Sequence, residues 1–497
     1  GGFWHKKIYP YQMWLDGLYM GQPFYAEYAA LVKDEKAFDD IANQFVWMEK
    51  NARDVKTGLL YHGWDESKAE AWANKTTGKS PNFWGRAMGW YGMAMVDVLE
   101  NFPENHPRKK EIIAILNRFA QAVQKVQDPK SGLWFDVLDK PTGKGNYLEA
   151  SASSMFVYTF AKAVRNGWLP ASYFAVADKG YKGIQKEFIE QRAAGKVNLK
   201  GTVEVSGLGG KPYRDGSYEY YVSEKVITND PKGVGAFLLA ANEMEIAATP
   251  KIGKGKTVVL DSYFNNETKK DQSGNDQSWH YKWDERPNGG FSFWGEQFQN
   301  SGFKLNTLYQ APTQANLKNA AVYIIVDPDF EKENPNPNFI SAADVKQISE
   351  WVKLGGVLVL MGNDAPNVEL TNFNKLANVF GVHFNGDSKG TVPVATNFET
   401  AKVIVPSGNE IFKPKDLFIK EYSSLKLSGN AKSILKDKDG DDVISVTKFG
   451  KGTVFVIGDP WLYNEYVDGR KLPANYKNFE ASQELVNWLA KQTAEKK

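Results

Sequence analysis

The sequence predicts two domains of different fold class, an all-helical N-terminal half and an α/β C-terminal half. Up to residue 248, helix-like apolar patterns alternate with loops rich in Gly, Pro or Asn, and β-branched runs are scarce. After Pro250, short β-branched runs alternate with helix-like segments. Residues 247–256, rich in Gly and Lys, predict the joint between the two patterns. We therefore expect one domain at residues 1–248 and a second at 257–497.

The helical half contains the same loop twice. It reads Asp54-Val-Lys-Thr-Gly-Leu-Leu-Tyr-His62 and again Asp128-Pro-Lys-Ser-Gly-Leu-Trp-Phe-Asp136. Each copy lies between two helix-like patterns, so the unit is a helical hairpin that must stack on its neighbours, in a toroid or a solenoid. In a toroid, loops at one rim converge on a central pit, and His62 and Asp136 could both face it. Alternatively, the repeat is only a turn with a left-handed Gly.

The C-terminal half shows the strand–helix–strand order of a parallel sheet covered by helices. Strand-like runs at 257–260, 321–326, 357–360 and 453–457 surround a helix-like pattern at 341–354. Asp327, Asp329 and Asp364 follow predicted strands, where they could form a site at the carboxyl edge of the sheet. Aspartates in such loops are, however, more often turn formers.

The composition excludes several classes of protein. The 497 residues include no cysteine, which rules out disulfides, thiolate metal sites and a cysteine nucleophile. With 61 Lys+Arg against 59 Asp+Glu, the charge gives no reason to expect a nucleic acid or membrane surface as partner. The apolar runs are far shorter than the roughly 20 residues of a membrane span. The 13% aromatic content suits sugar binding, but it equally suits a large core.

Asp16 is the first candidate catalytic residue. It begins a helix-like pattern among Tyr9, Tyr11, Trp14 and Tyr19. Burial by these rings would raise the pKa of the carboxyl group, whereas a helix N-terminus would lower it. If burial prevails, Asp16 can hold a proton near neutral pH and act as a general acid. The alternative is a helix-capping aspartate.

Two further segments complete the candidate site. Residues 62–67 place His62, a tryptophan and two acids in one loop, and residues 82–91 place Arg86 between Trp84 and Trp90. An arginine among aromatic rings is well suited to hold a carboxylate. The alternatives are a structural histidine and an ordinary arginine.

The ordered motifs of the first half resemble those of glycoside hydrolase family 105, the unsaturated rhamnogalacturonyl hydrolases and their relatives. They are residues 2–20, His62-Gly-Trp-Asp-Glu-Ser67, Phe83-Trp-Gly-Arg-Ala-Met-Gly-Trp90, and the closing segments 206–221 and 229–235. The resemblance implies an (α/α)6 barrel at residues 1–248, with Asp16 as the catalytic acid/base and no cofactor or metal. It also implies a set of residues that line the sugar pocket: His5, Trp14, His62, Trp84, Arg86 and Trp90.

The resemblance further implies the reaction. These enzymes remove a 4,5-unsaturated uronic acid from the non-reducing end of oligosaccharides left by polysaccharide lyases, by hydrating the C4=C5 double bond. We expect a pectic, rhamnogalacturonan-type substrate, and a periplasmic or secreted enzyme. Arg86 or His62 could hold the uronate carboxylate.

The sequence departs from the family pattern at its start. The family's barrel begins upstream of the motif that opens this chain, and the upstream part carries a second aspartate that partners the catalytic one. We expect the barrel to lack its first helices here and to expose an apolar seam. The 497 residues alone should then be weakly active or inactive.

The C-terminal half resembles the class I glutamine amidotransferase-like fold without its cysteine nucleophile. We therefore expect a non-catalytic domain, compatible with self-association. Two other functions stay open for the chain. An inverting glycosidase would pair Asp16 with Asp65, Asp136 or Asp215, and a non-catalytic sugar-binding protein would need no acid.

Overall fold

The computed structural model describes residues 2–270, 274–365, 367–394 and 397–493. The chain forms two compact units, Gly1–Ala248 and Thr249–Lys497. Residues 494–497 of the predicted second domain lie outside the described residues. No helix in the described part of the chain combines the length and the apolar character that a membrane span requires.

The first unit is mainly helical, as the sequence predicts. Its described helices are α1 (Leu15–Val32), α2 (Glu35–Ala52), α3 (Gly85–Asn101), α4 (Lys109–Lys125), α5 (Ala150–Arg165), α6 (Phe174–Glu187), α7 (Tyr218–Ser223) and α8 (Pro231–Ala248). Short strands pair in its loops: β1 (Gln12–Trp14) with β2 (Gly63–Asp65), β3 (Ile189–Gln191) with β4 (Val197–Leu199), and β5 (Thr202–Val203) with β6 (Val226–Ile227).

Alternate helices form an inner row. Helix α1 packs against α3, α3 against α5, and α5 against α8, while α2 packs against α4 beside them. The first residue of each of three inner helices donates its backbone N–H to the loop of the next hairpin. These bonds join Leu15 to the His62 carbonyl (3.0 Å), Gly85 to Asp136 (2.7 Å) and Ala150 to Gly201 (2.9 Å). The starts of the inner helices and these loops therefore share one rim of the unit.

The two copies of the repeated loop have the same hydrogen bonds. In the first, the Asp54 carboxylate accepts from Thr57 N and Thr57 Oγ1, and Gly58 has a φ of +77°. In the second, Asp128 accepts from the corresponding atoms of Ser131, and Gly132 has a φ of +79°. The repeat is thus a true structural turn, and it also brings His62 and Asp136 to the same rim.

The outer side of α1 carries an exposed apolar stripe. Met20, Phe24, Tyr28 and Leu31 recur every three or four residues and are 54–78% exposed. This spacing places them on one face of the helix.

The second unit is built on a mixed sheet. Its described strands are β7 (Thr257–Asp261), β8 (Thr268–Lys270), β9 (Asp276–Ser278), β10 (Lys304–Leu308), β11 (Ala320–Val326), β12 (Val357–Met361), β13 (Val382–Phe384), β14 (Lys402–Val405), β15 (Lys415–Phe418), β16 (Leu425–Leu427), β17 (Lys432–Lys436), β18 (Asp442–Phe449) and β19 (Gly452–Ile457). Its described helices are α9 (Ser292–Asn300), α10 (Ala342–Lys353), α11 (Leu370–Ala377), α12 (Asn464–Val467) and α13 (Asn478–Gln492).

The strand order is β10-β7-β11-β12-β19-β18-β16-β13, with β17 beside β18. The pairs from β10 to β19 are parallel, as the sequence predicts, and those beyond β19 are antiparallel, which the sequence analysis did not predict. Every residue of β11 is buried. Ile324 and Ile325 enter different apolar clusters, so both faces of the sheet are covered.

Candidate active site

Asp16 and His62 form the centre of the candidate site. The Asp16 Oδ2 atom lies 3.0 Å from His62 Nε2, in an ion-pair contact in which the Asp16 side chain is 14% exposed and that of His62 is fully buried. Apart from this contact, neither atom has a hydrogen-bond partner among the described residues. Buried polar atoms with so few partners are rare in folded proteins, so the pair is a candidate for binding a ligand.

The surroundings of Asp16 decide its charge. Burial raises the pKa of the carboxyl group, but the charge and hydrogen bonding of His62, followed by the charge of His5, hold that pKa below its usual value. The N-cap of α1 is Trp14, so Asp16 lies in the first turn and is not the capping residue. Burial therefore does not prevail, and Asp16 alone is not a protonated acid near neutral pH.

Tyr221, which the sequence analysis missed, contacts the His62 ring nitrogen that does not face Asp16. The Tyr221 hydroxyl lies 2.7 Å from His62 Nδ1. When His62 Nε2 carries the proton that faces Asp16, Tyr221 donates its own proton to Nδ1. Tyr221 is fully buried and belongs to α7, in the closing motif. Tyr221, His62 and Asp16 form a connected polar chain.

Aromatic rings fix the imidazole from two sides. The Trp14 ring meets His62 edge-on at 5.3 Å, and the Trp84 ring lies 4.8 Å away. Both tryptophans are at most 4% exposed. The structure thus brings these two predicted residues to the site, but as buried walls that orient His62.

His5 joins the site through Trp14. Its imidazole stacks on the indole at 4.0 Å, and its buried Nδ1 atom has no hydrogen-bond partner among the described residues. Burial lowers the pKa of His5 to about 4, despite the opposing effect of the Asp16 carboxylate. His5 is therefore a neutral imidazole beside Asp16 at neutral pH.

Arg86 lies in a different environment from the one its motif suggests. Its guanidinium donates to the backbone carbonyls of Val203 (2.5 Å) and Glu204 (3.3 Å), and it lies 4.8 Å from the Trp84 ring. The residue is 1% exposed. These contacts hold the start of α3 against β5, so the structure gives no support for Arg86 as the direct partner of a uronate carboxylate.

Trp90 lies away from the His62 ring. It stacks on Tyr19 at 4.5 Å, one turn further along α1 from Asp16. Trp90 is half-buried, so it can still form part of a wider pocket wall.

The three carboxylates that an inverting glycosidase could pair with Asp16 have different surroundings. Asp65 accepts hydrogen bonds from Ser67 N, Ser67 Oγ and Glu70 N, so it builds the loop. Asp215 is exposed and accepts from Ser217 N. Asp136 is fully buried, accepts from Trp84 Nε1 at 2.9 Å, and has a second oxygen without a partner among the described residues. Burial, with the Glu149 charge, raises the pKa of Asp136 well above its usual value.

Arg214 is the second residue near the site that the sequence analysis missed. It lies in the Gly-rich part of the closing motif, and its Nη2 atom donates to the Tyr9 hydroxyl at 3.2 Å. Tyr9 stacks on Trp14 at 5.3 Å. The sequence did carry a signal for Arg214, because it is a basic residue among glycines within the closing motif that the sequence analysis had identified.

The described residues hold no group of three or more His, Cys, Asp or Glu side chains placed for a metal ion. In the second unit, Asp327 accepts from the Tyr281 hydroxyl at 3.1 Å and from Asn363 at 3.4 Å. Asp329 accepts from Asn266 N and from Asn334, and Asp364 from Asn367. These contacts fit the alternative in which such aspartates order loops.

Comparison with known proteins identifies a family and relatives that the first unit resembles. The profile of Glycosyl Hydrolase Family 88 matches residues 1–248. A protein of Agrobacterium fabrum, Atu3128, is 37% identical over 242 residues, which are 46% of this chain and 100% of that protein. An unsaturated rhamnogalacturonyl hydrolase of Bacillus subtilis is 35% identical over 149 residues, which are 30% of this chain and 40% of that enzyme.

Among solved structures, a glycoside hydrolase from family 105 of C. acetobutylicum is 55% identical, with a TM-score of 0.49. The match covers 49% of this chain and 68% of that one. The motifs that carry the resemblance lie within residues 1–248, which the family profile matches.

Proposed function

The chain belongs to glycosyl hydrolase family 88 through residues 1–248, and on that premise we propose that it is an unsaturated uronyl hydrolase. It would remove a 4,5-unsaturated uronic acid from the non-reducing end of an oligosaccharide. The single observation that carries this proposal is the buried contact of Asp16 with His62, which has a proton donor and a proton acceptor with no other use. The Bacillus relative, whose name states this type of activity, supports it.

The reaction needs a proton at one carbon and water at the next. The substrate's C4=C5 bond is an enol ether conjugated to a carboxylate, so protonation at C4 places positive charge on C5 and the ring oxygen. Water then adds at C5 and loses a proton. The resulting hemiketal opens, and the neighbouring sugar leaves as an alcohol. One group that first gives a proton and then accepts one suffices for this sequence.

We assign that role to Asp16, which His62 holds in place. Because the pKa of Asp16 is lowered, the free protein holds a carboxylate there. A bound uronate adds negative charge near Asp16 and raises its pKa, which favours uptake of a proton from solvent by the carboxylate. Asp16 then protonates C4 and, as the carboxylate, accepts the proton of the attacking water. Tyr221 holds His62 in the required orientation.

The family relationship supports two finer proposals. The first unit would form part of an (α/α)6 barrel, with the inner row of helices around the site. The substrate would be a pectic, rhamnogalacturonan-type oligosaccharide, in line with the name of the Bacillus relative. For the second unit we propose a non-catalytic, amidotransferase-like domain, since the chain contains no cysteine nucleophile.

Turnover in D₂O tests the proposal. An unsaturated disaccharide is incubated with the protein, and the products are followed by NMR. Hydration of the double bond places deuterium at C4 of the released acid. Release of a saturated sugar with inverted anomeric configuration and no deuterium at C4 would instead indicate an ordinary inverting glycosidase.

A further inference from the structure

Asp136 occupies in the second copy of the repeated loop the position that His62 occupies in the first. The two backbones are used alike, since the carbonyl of each residue accepts a hydrogen bond from the first residue of an inner helix. The two side chains are used differently. His62 contacts the Asp16 carboxylate at 3.0 Å, whereas Asp136 Oδ1 accepts a hydrogen bond from Trp84 Nε1 at 2.9 Å. The second copy thus offers its polar side chain to a tryptophan of the candidate site.

Trp84 contacts both Asp136 and the imidazole of His62. Its ring lies 4.8 Å from the His62 ring and 6.0 Å from the Tyr221 ring, with which it stacks at an interplanar angle of 22°. Trp84 is 1% exposed. In an interior packed this closely, neighbouring rings limit each other's rotation. The orientation of the indole therefore helps to fix the orientation of His62.

The hydrogen bond to Asp136 selects one orientation of that indole. If the ring turned over, the buried N–H group of Trp84 would lose its acceptor, which is unfavourable. The main chain around this bond is held separately. Gly85 N donates to the Asp136 carbonyl at 2.7 Å, and Trp84 forms an antiparallel bridge with Val137. A change of the Asp136 side chain can therefore remove the bond while the backbone stays in place.

Asp136 accepts this bond as a neutral acid. Burial, followed by the negative charge of Glu149, raises the pKa of its carboxyl group well above the usual value, and the Trp84 hydrogen bond and the Arg86 charge oppose this only in part. The other carboxyl oxygen, Oδ2, is buried and has no hydrogen-bond partner among the described residues. A buried carboxylate with so few donors would be unfavourable, whereas a protonated carboxyl group still offers Trp84 an acceptor oxygen.

We propose that Asp136 is a positioning residue of the candidate site. It holds the indole of Trp84, which in turn holds the His62 imidazole toward the Asp16 carboxylate. This inference rests on the proposed function and adds to it a residue that acts through other side chains and does not touch the substrate. It also differs from the role that an inverting glycosidase would give Asp136, because a general base has to be a carboxylate.

Two substitutions of Asp136 test this role in the hydrolysis of an unsaturated disaccharide. Asp136→Asn keeps an acceptor oxygen of the same shape, so kcat should stay within about threefold of the value for the unsubstituted protein. Asp136→Leu keeps the size but offers no acceptor, so kcat should fall about 10- to 100-fold with KM nearly constant. If Asp136→Asn lowers kcat as far as Asp136→Leu does, the charge is required and the inference is overturned.

Trp84→Phe tests the second step, because phenylalanine keeps a ring beside His62 but cannot bond to Asp136. It should lower kcat by a factor similar to that of Asp136→Leu. The double variant should lose no more than the larger single effect, since both changes remove the same hydrogen bond. Effects that multiply would overturn the inference. Trp134→Phe is the matched control and should keep kcat, because Trp134 is fully buried and donates to the Val123 carbonyl at 2.9 Å.

A measurement on His62 itself does not depend on turnover. Nitrogen NMR of the imidazole rings, with the His62 signals identified through His62→Gln, reports the surroundings of both ring nitrogens. Asp136→Leu and Trp84→Phe should shift these signals, and Asp136→Asn should leave them in place. If circular dichroism shows that Asp136→Leu does not fold, Trp84→Phe and Asp136→Asn decide.

The NMR result also separates this inference from the proposed function. Signals of His62 that stay in place in Trp84→Phe or in a folded Asp136→Leu would overturn the positioning role. Signals that shift as expected, in a protein that hydrolyses no unsaturated sugar, would support the positioning role and contradict the proposed function.

Discussion

The Asp16 carboxylate meets the His62 imidazole at 3.0 Å although the two residues belong to successive helical hairpins. The backbone fixes this meeting. Leu15 N donates to the His62 carbonyl, and Trp14 pairs with Gly63 in the β1–β2 ladder. The residues on either side of Asp16 and His62 are therefore held by main-chain bonds. Substitutions of the two side chains should change the chemistry and leave the backbone in place.

Asp16→Asn should abolish most turnover while the sugar still binds. The amide keeps the shape of the side chain but cannot carry the proton, so we expect kcat to fall about 10²- to 10⁴-fold. The measurement is the rate of hydrolysis of an unsaturated disaccharide, with binding followed by calorimetry. Asp178→Asn is the control, because its carboxylate is partly exposed and pairs with Lys182 in α6. Unchanged turnover in Asp16→Asn would favour a non-catalytic sugar-binding protein.

Tyr221→Phe should slow the reaction without a large effect on affinity. The change removes the hydroxyl that lies 2.7 Å from His62 Nδ1, so the imidazole loses its orientation and one proton donor. We expect kcat to fall about tenfold and the pH profile of kcat to shift, with KM nearly constant.

Tyr91→Phe provides the matched comparison for that variant. Tyr91 is equally buried, but its hydroxyl donates to the Phe45 carbonyl at 3.4 Å and does not contact His62. Both variants should lose roughly 1 kcal/mol of stability, and only Tyr221→Phe should lose activity. A similar loss of activity in both would assign Tyr221 a structural role alone.

His5 should make the stability of the protein depend on pH. Burial lowers its pKa from 6.5 to about 4, so between these values the unfolded chain binds a proton that the folded chain does not. The free energy of unfolding then rises as the pH increases from 4 to 6.5, by at most about 3 kcal/mol from this group.

His5→Gln should flatten that rise. Urea unfolding followed by tryptophan fluorescence at pH 4.5 and 7 measures the difference, and the exposed His383 offers a control in His383→Gln. A pH dependence that is the same in His5→Gln and in the unsubstituted protein would contradict the prediction.

The sequence predicted the helices and strands well because both patterns are strongly periodic. The pattern at residues 341–354 became α10 (Ala342–Lys353), which begins with the capping box of Ser341 and Asp344. The antiparallel strands β13 and β16 escaped prediction because each has only three residues. Such short runs carry little periodicity.

The candidate site shows a different limit of sequence reasoning. Asp16, His62 and Trp14 could be selected because they lie in dense motifs, and the structure brings them together. The sequence could not show whether the pKa of Asp16 is raised or lowered, because the shift depends on a 3.0 Å contact with His62. The surroundings of Arg86 were also hidden, because its acceptors are main-chain carbonyls of a distant segment. Carbonyl groups leave no signal in residue identities.

The two copies of the repeated turn allow local and tertiary costs of a substitution to be separated. Gly58 and Gly132 have nearly the same left-handed φ, so alanine should impose the same backbone strain, about 1–2 kcal/mol, at both.

The atoms that an added methyl group would meet differ between the two glycines. A Cβ atom at Gly58 would lie 3.3 Å from the Ala122 side chain, an approach that a small shift relieves. One at Gly132 would lie 2.6 Å from the Lys179 carbonyl oxygen in the backbone of α6, which cannot move without displacing the helix. Gly132→Ala should therefore lose at least about 1 kcal/mol more stability than Gly58→Ala in urea unfolding. Equal losses would mean that α6 yields to the methyl group, so that the turn's own backbone strain accounts for the whole effect.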